Sequence, residues 1–326
     1  MAFGRWKNRR ALALAWLAMA STAVMLTTAC SGQGVGTAVG RSARSAAVPA
    51  ASAQVTFIPA TSAAGATSAA RATAAPAVSP SPQRTAAPAP AAPSGARLVT
   101  FVNKVSQTIW VAASPDPSQP LAATGWVLRP GKSVTITVPN RWNGRFWGRT
   151  GCVFHNGSGH CQTGDCNGRF QCTGYGTIPA TLAEYDMDAW DGLDFYDVSM
   201  VDGANLPMYI NITKGGTKDK ISPGGCVPAG CTKLVACPKV LQVKSGSSVV
   251  ACESACARFG TDQYCCRGLW APRAACNPAK WPVDYAAVFK KAEPYAYSYP
   301  DDDATSVFTC KGQCDYRITF GITPRT

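Results

Sequence analysis

The sequence predicts a mainly β domain, a sandwich of short strands joined by long stapled loops, over residues 98–326 of a 326-residue chain. Three observations predict it. Short runs rich in β-branched and aromatic residues recur between Gly and Pro turns. Fourteen of the fifteen cysteines fall between Cys152 and Cys314, a density that suits bridges formed in an oxidising compartment. Helical candidates are few, namely Cys252 to Phe259 and Tyr285 to Lys291.

Ahead of that domain, residues 1–30 read as an export segment. Arg5, Lys7, Arg9 and Arg10 precede an apolar run from Ala11 to Leu26 that ends in small residues and Cys30. The run is short for an uncleaved membrane span. Cys30, in LTTAC, stands where a bacterial lipoprotein carries its acylated cysteine, although Thr27 occupies the usual Leu position. It is the lipidation candidate and the route to membrane attachment. Acylation of Cys30 and cleavage beyond it both leave fourteen cysteines, enough for seven bridges, so parity does not separate the two fates. Either one exports the domain, as a secreted protein or as a cell-surface lipoprotein.

Residues 31–97 are Ala, Ser, Thr and Pro with five arginines, no acid and no cysteine. They hold too few large apolar side chains to offset the entropy of ordering, so they read as a disordered stalk. The formal charge of +13 is uneven: nine of 31 basic residues precede Leu98 and all 18 acids follow it, which leaves 22 against 18, or +4, on the domain. No nucleic-acid footprint survives that correction.

Within the domain, LVTFVNKVSQTIWVAA from Leu98 to Ala113 holds two apolar runs around Lys104 to Gln107, which suits a hairpin. SVTITV from Ser133 to Val138 follows the Pro130-Gly131 turn, and RFWGRT, DFYDVSMV and YRITF supply further strands. The run GSGHCQTGDCNGRFQC, from Gly157 to Cys172, is a tight loop stapled by Cys161, Cys166 and Cys172, with Asp165 placed as a turn former. A metal centre is the rival reading of the cysteines; only His155 and His160 could assist, and export favours bridges. Gly215-Gly216 and Gly224-Gly225 read as loop hinges, without the strand-helix context of a phosphate loop. No cofactor is expected.

That glycine-spaced run has the form of the signature of thaumatin-like proteins, the pathogenesis-related group five of plants. TLAEY from Thr181, DFYDVSMVDGANLPM from Asp194, TDQYCC from Thr261 and AYSYPDDDATSVFTC from Ala296 follow in family order. The resemblance implies a flattened β-sandwich of about eleven strands, disulfide-rich loop subdomains, short helices and a cleft between sandwich and loops. It also implies the pairs Cys152–Cys161, Cys166–Cys172, Cys226–Cys310, Cys237–Cys252, Cys256–Cys265 and Cys266–Cys276. The family bridge from first strand to C-terminus has its two positions at Val105 and Gly321, so both halves are missing together. The family partner of Cys231 would fall near Ala292, while Cys314 is extra; a rewired Cys231–Cys314 bridge is expected.

Between Phe170 and Thr213 lie seven acids, Glu184, Asp186, Asp188, Asp191, Asp194, Asp197 and Asp202, with no Lys or Arg. A charge run is usually a solvated face, and Asp186, Asp188 and Asp191 around Trp190 fit that reading. Asp197 and Asp202 sit in apolar strand sequence and do not. The resemblance selects Arg145, Glu184, Asp197, Asp202 and Asp262 as an acidic cleft for β-1,3-glucan or another wall polysaccharide, with Phe195, Tyr196, Tyr175 and Trp190 as candidate sugar-stacking rings. It further implies Glu184 as general acid and Asp202 as base or nucleophile of an endo-β-1,3-glucanase. Crowding by Asp197 and Asp262 would raise the acid's pKa, and Arg145 would keep a partner ionised. An ion network that braces a binding cleft is the alternative. The expected protein is a monomeric, exported, antifungal-type glucan binder; a wall-binding or inhibitor module and a stress-related scaffold are the competing classes.

Overall fold

A computed structural model describes residues 91–215, 228–230 and 232–324. The export segment expected over 1–30 with Cys30, nearly all of the expected stalk, Gly216, Gly224-Gly225 and the two cysteines Cys226 and Cys231 lie outside the described residues.

Two sheets form the sandwich. In the smaller, the order is β10 (Met208–Lys214), β15 (Asp315–Phe320), β1 (Ala96–Asn103) and β4 (Ser133–Pro139). β1 and β15 pair in parallel, with Val99 opposite Tyr316 and Asn103 opposite Phe320. The larger, seven-stranded sheet runs β13 (Ala296–Tyr297), β9 (Leu193–Ser199), β8 (Leu182–Asp186), β5 (Asn143–Arg149), β2 (Ile109–Ala113) and β3 (Gly125–Leu128), and β14 (Phe308–Lys311) also pairs with β9. Two hairpins stand apart: β6 (Val153–His155) with β7 (Ser158–His160), and β11 (Gln242–Ser245) with β12 (Ser248–Cys252). The mainly β sandwich is as expected.

Alternation along each strand fills the space between the sheets. Val99 and Phe101 from β1, Phe146 from β5, Tyr185 from β8, Tyr196 from β9 and Tyr316 and Phe320 from β15 are all buried there. Phe146 stacks on Trp142 at 4.6 Å and meets Phe101 edge-on at 5.0 Å. The opposite face of the large sheet therefore carries Arg145, Trp147 and Arg149 from β5, Glu184 from β8, and Asp197 and Ser199 from β9. Loops cover it: Trp147 packs with Cys166, Cys172, Ala180 and Leu182. Arg149 is buried, donates to the carbonyls of Trp110, Arg169 and Phe170, and is held down to about 10 by burial, with Asp165 opposing. Asp165 accepts from the N–H groups of Cys161 and Gly168 at 3.0 and 2.9 Å, closing the turn as its residue type predicts.

Three expectations are corrected. The two runs between Leu98 and Ala113 do not pair as a hairpin: β1 enters the small sheet and β2 the large one, because each has inward residues that meet across the core. β1 begins at Ala96, two residues ahead of the expected boundary, and Arg97, read as a stalk arginine, is 1% exposed. It forks onto Asp194 with Nε and Nη2 at 2.9 Å each, while Tyr316 donates to the same carboxylate at 2.7 Å. The pairings Cys226–Cys310 and Cys231–Cys314 give way to Cys310–Cys314, whose Cα atoms stand 6.4 Å apart across the β14–β15 turn. Gly312, with φ of 84°, lets that turn fold back so the two cysteines meet. Cys152 is bonded to Cys161, Cys166 to Cys172, Cys237 to Cys252, Cys256 to Cys265 and Cys266 to Cys276.

Where the first-to-last bridge is missing, backbone closes the gap. The Lys104 N–H donates to the Phe320 carbonyl at 2.8 Å, and a Cβ on Gly321 would lie 2.8 Å from that of Lys104.

Among the described residues, four short α-helices decorate the sandwich. α1 (Ala255–Phe259) starts three residues later than expected, since Cys252 ends β12; the Ser254 hydroxyl caps it, accepting from Ala257 N–H. α2 (Asp262–Cys265), α3 (Ala286–Ala292) and α4 (Asp303–Ser306) follow.

Candidate functional site

β5, β8 and β9 lie side by side and antiparallel, and their register sets Arg145 opposite Glu184 and Glu184 opposite Asp197. Directly opposed residues share a face, so three ionisable groups form a row across the loop-covered side of the sheet. Asp202 joins from the turn that follows β9. Arg145 Nη1 lies 3.1 Å from Asp202 Oδ2 and 3.9 Å from Glu184 Oε1. Its Nη2 donates to the Tyr175 carbonyl at 2.9 Å, and its guanidinium carbon sits 4.7 Å from the centre of the Tyr175 ring. The Arg145 backbone N–H donates to Ser114 Oγ at 3.0 Å, which ties β5 to the end of β2.

Burial differs along the row. Glu184 is 2% exposed and Asp197 8%, whereas the Asp202 side chain is 14% exposed. Burial pushes the Glu184 carboxyl above the usual range; Arg145 opposes that, Asp202 adds to it, and a hydrogen bond with the Ser199 side chain opposes it. Burial likewise pushes Asp197 well above its ordinary range, and the charges of Glu184 and Asp303 act in the same direction. Two neighbouring acids thus hold their protons more firmly than an ordinary carboxyl, beside an arginine that pairs with a third. Among the described residues, Arg145 Nε and Asp197 Oδ1 are buried without a hydrogen-bond partner.

Register and ion pairs join four of the five selected residues, and the fifth has a different ion-pair partner. Asp262, at the start of α2, is 61% exposed and pairs with Arg267 at 3.1 Å, next to Gly268. Asp202, rather than Asp262, crowds Glu184. Of the candidate rings, Tyr196 is core, Trp190 stands exposed, Phe195 lies half-buried on the Asp197 face of β9, and Tyr175, 67% exposed, packs against the Arg145 guanidinium. Reading the sequence missed Ser199, Tyr297 and Asp303. Ser199 had a signal: it lies two residues past Asp197 on one strand and so shares its face. Tyr297 donates to Asp303 at 2.8 Å, and Asp303 pairs with Arg273 at 3.0 Å; distant in sequence, these gave none.

The arrangement can present a buried acid holding its proton and an ion-paired carboxylate on either side of one guanidinium. Both carboxylates approach the same nitrogen, so their nearest oxygens are at most about 7 Å apart. That limit admits the roughly 5–5.5 Å spacing of a retaining glycosidase and only the lower end of the roughly 6.5–9.5 Å inverting range.

Comparison with known proteins gives a consistent picture. The model of the family described as "Thaumatin family" matches residues 103–322. The chain is 47% identical over 232 residues to pathogenesis-related thaumatin-like protein 3.5 of Cryptomeria japonica, covering 70% of this chain and 90% of that one. It is 44% identical over 232 residues to a glucan endo-1,3-beta-glucosidase of Prunus avium, covering 69% and 90%. Among solved structures, a thaumatin-like xylanase inhibitor aligns at 30% identity and a TM-score of 0.32, over 48% of this chain and 92% of that one.

Proposed function

The chain belongs to the thaumatin family, and on that premise we propose an exported, monomeric, defence-type protein whose acidic site binds β-1,3-glucan or a related wall polysaccharide and cleaves it slowly. The row of Arg145, Glu184 and Asp197, completed by Asp202, carries this reading. Carboxylates accept paired hydrogen bonds from neighbouring sugar hydroxyls, and the exposed Tyr175 ring offers a face on which a sugar can stack. The similarity to a glucan endo-1,3-beta-glucosidase supports the same substrate class. Six disulfides among the described residues suit an oxidising location. Secretion, or anchoring through an acylated Cys30, completes the proposal.

For cleavage, Glu184 donates its proton to the glycosidic oxygen as the bond to the anomeric carbon breaks. Asp202, ionised against Arg145, then either takes a proton from the attacking water or bonds the carbon itself. Asp197 is a positioning residue, set directly opposite Glu184 in the sheet register.

The burial of Glu184 favours a second reading, in which the row braces a cleft that binds without turnover. One experiment separates them: retention on insoluble β-1,3-glucan and reducing-sugar release from the soluble polymer, for wild type, Glu184→Gln and Asp202→Asn. Release by wild type with a loss of about a hundredfold or more in both variants supports catalysis. Retention by all three without release leaves binding alone, and no retention at all overturns glucan as the ligand.

A further inference from the structure

The row of ionisable groups does not end at Asp197. β13 pairs with β9 in parallel, Ala296 opposite Val198 and Tyr297 opposite Ser199. Val198 and Ala296 belong to the core between the sheets, so Tyr297 shares the loop-covered face with Asp197 and Ser199. Tyr297 is buried, and its hydroxyl donates to Asp303 Oδ1 at 2.8 Å. Asp303 Oδ2 pairs with Arg273 Nη1 at 3.0 Å. One carboxylate is thereby held from two sides, by a buried phenol and by an exposed guanidinium.

The sequence sets three acids in succession, Asp301, Asp302 and Asp303, a run that ordinarily forms a solvated face. The fold separates the last two. Asp302 accepts from Lys290 at 2.7 Å and from the Ser298 N–H and hydroxyl at 3.1 and 3.0 Å, whereas Asp303 turns to Tyr297. Arg273 comes from another region, the loop closed by the Cys266–Cys276 disulfide, where the N–H groups of Ala275 and Cys276 both donate to the Pro272 carbonyl at 2.9 Å. A stapled turn thus delivers a cation to an acid that the sheet has already aimed.

The groups around Asp197 decide what Asp303 can act on. Asp197 is subject to the charge of Asp303 from α4 and of Glu184 from β8. Tyr297 from β13 stands among Asp197, Asp303 and Glu184, and burial pushes its phenol up, so it remains a donor. Arg145 on β5 and Asp202 after β9 act on Glu184. β14 also pairs with β9, but its Lys311 lies opposite Leu193, at the other end of the strand.

We propose that Asp303 is a further positioning residue of this site, fixed by Tyr297 and acting through Asp197 on Glu184, and that Arg273 sets the strength of that action. The role rests on the reading of Glu184 as the proton donor. A negative charge close to Asp197 opposes its ionisation, and the guanidinium offsets part of that charge. Removing Asp303 and removing Arg273 must therefore move Asp197 in opposite directions. A pair that only braces the fold predicts no such opposition.

The test is a ¹³C carboxyl NMR titration of the full chain, labelled at Asp and Glu, for wild type, Asp303→Asn and Arg273→Gln. The Asp197 midpoint is expected to fall by about one pH unit in Asp303→Asn. In Arg273→Gln it is expected to rise, by about 0.2–0.5 pH unit because solvent screens the exposed cation. The Glu184 signal should show a second step at each new Asp197 midpoint, since neighbouring acids titrate as a pair. An Asp197 midpoint unmoved in folded Asp303→Asn, or moved the same way by both substitutions, overturns the proposal. The Arg273 side chain is 52% exposed, so Arg273→Gln keeps the fold and decides alone where Asp303→Asn does not fold: a rise supports the proposal and no change overturns it. Sugar release by the same proteins is read separately. Wild type that releases none removes the glucanase reading, while the titrations still decide whether Asp303 governs Asp197.

Discussion

Two arginines meet carboxylates on the same region of the large sheet, and they are handled in opposite ways. Arg97 and Asp194 are 1% and 0% exposed and saturated: both carboxylate oxygens accept from the guanidinium, Tyr316 adds a third bond, and Gly312 and Asn140 take further Arg97 hydrogens. Arg145 faces two carboxyls at once, has no partner for Nε among the described residues, and sits beside two acids whose pKa values burial raises. Asp194 and Asp197 are three residues apart on β9, so the pleat sends them to opposite faces. A saturated pair pins the sandwich; an unsaturated cluster keeps capacity for something else to bind.

The largest effect should come from breaking the saturated pair. Arg97→Met leaves Asp194 as an unpaired buried charge, and denaturant unfolding should show a loss of about 3–5 kcal/mol. Arg97→Met with Asp194→Leu should recover most of it; a double variant as unstable as the single would show that the pair itself, not the orphaned charge, carries the stability.

Next in size is Asp197→Asn. The folded state favours the protonated form of Asp197, so its contribution is intact at low pH and is lost as pH climbs from the ordinary Asp range toward the raised value. The variant should match wild type near pH 3 and exceed it at pH 8 by about 1–3 kcal/mol, read from melting curves. Equal pH profiles would place Asp197 in an environment no different from solvent. Tyr175→Ala tests the exposed edge of the cluster: with cation–π contacts worth about 0.5–1 kcal/mol, retention on β-1,3-glucan should weaken about twofold to fivefold without a change in fold. Smallest is Asp262→Asn. Its partner Arg267 is also exposed, so stability should move by less than about 0.5 kcal/mol, and the Glu184 titration followed by carboxyl NMR should stay in place.

Much of this was legible in the sequence, for reasons of local chemistry. Glycine-spaced cysteines specify a stapled loop whatever surrounds them, and acids embedded in DFYDVSMV stand out because strands rarely carry them. What escaped depends on tertiary register. Arg97 sits in an Ala-rich stretch that nothing local separates from a stalk; only Asp194, ninety-seven positions on, makes it a core residue. Val99 and Ile109 both suit strands, yet periodicity cannot say that they belong to different sheets. Asp262 was grouped with the cleft by resemblance, and the start of α2 turns it toward Arg267. The cysteine at 314 lacked a local signal for its choice of Cys310, since spacing alone leaves connectivity open.

The parallel pairing of β1 with β15 bears on how such a chain is made. Leu98 bonds to the side chain of Asp315, 217 positions away, and β15 is an interior strand of the small sheet, flanked by β1 and β10. As the polypeptide emerges from its N-terminal side, β1 and β4 can associate early, but the place between β1 and β10 stays vacant until the last strand is delivered. Contacts so remote are slow to close. The small sheet therefore stays open for almost the whole of the chain's synthesis and locks only when its C-terminal strand arrives.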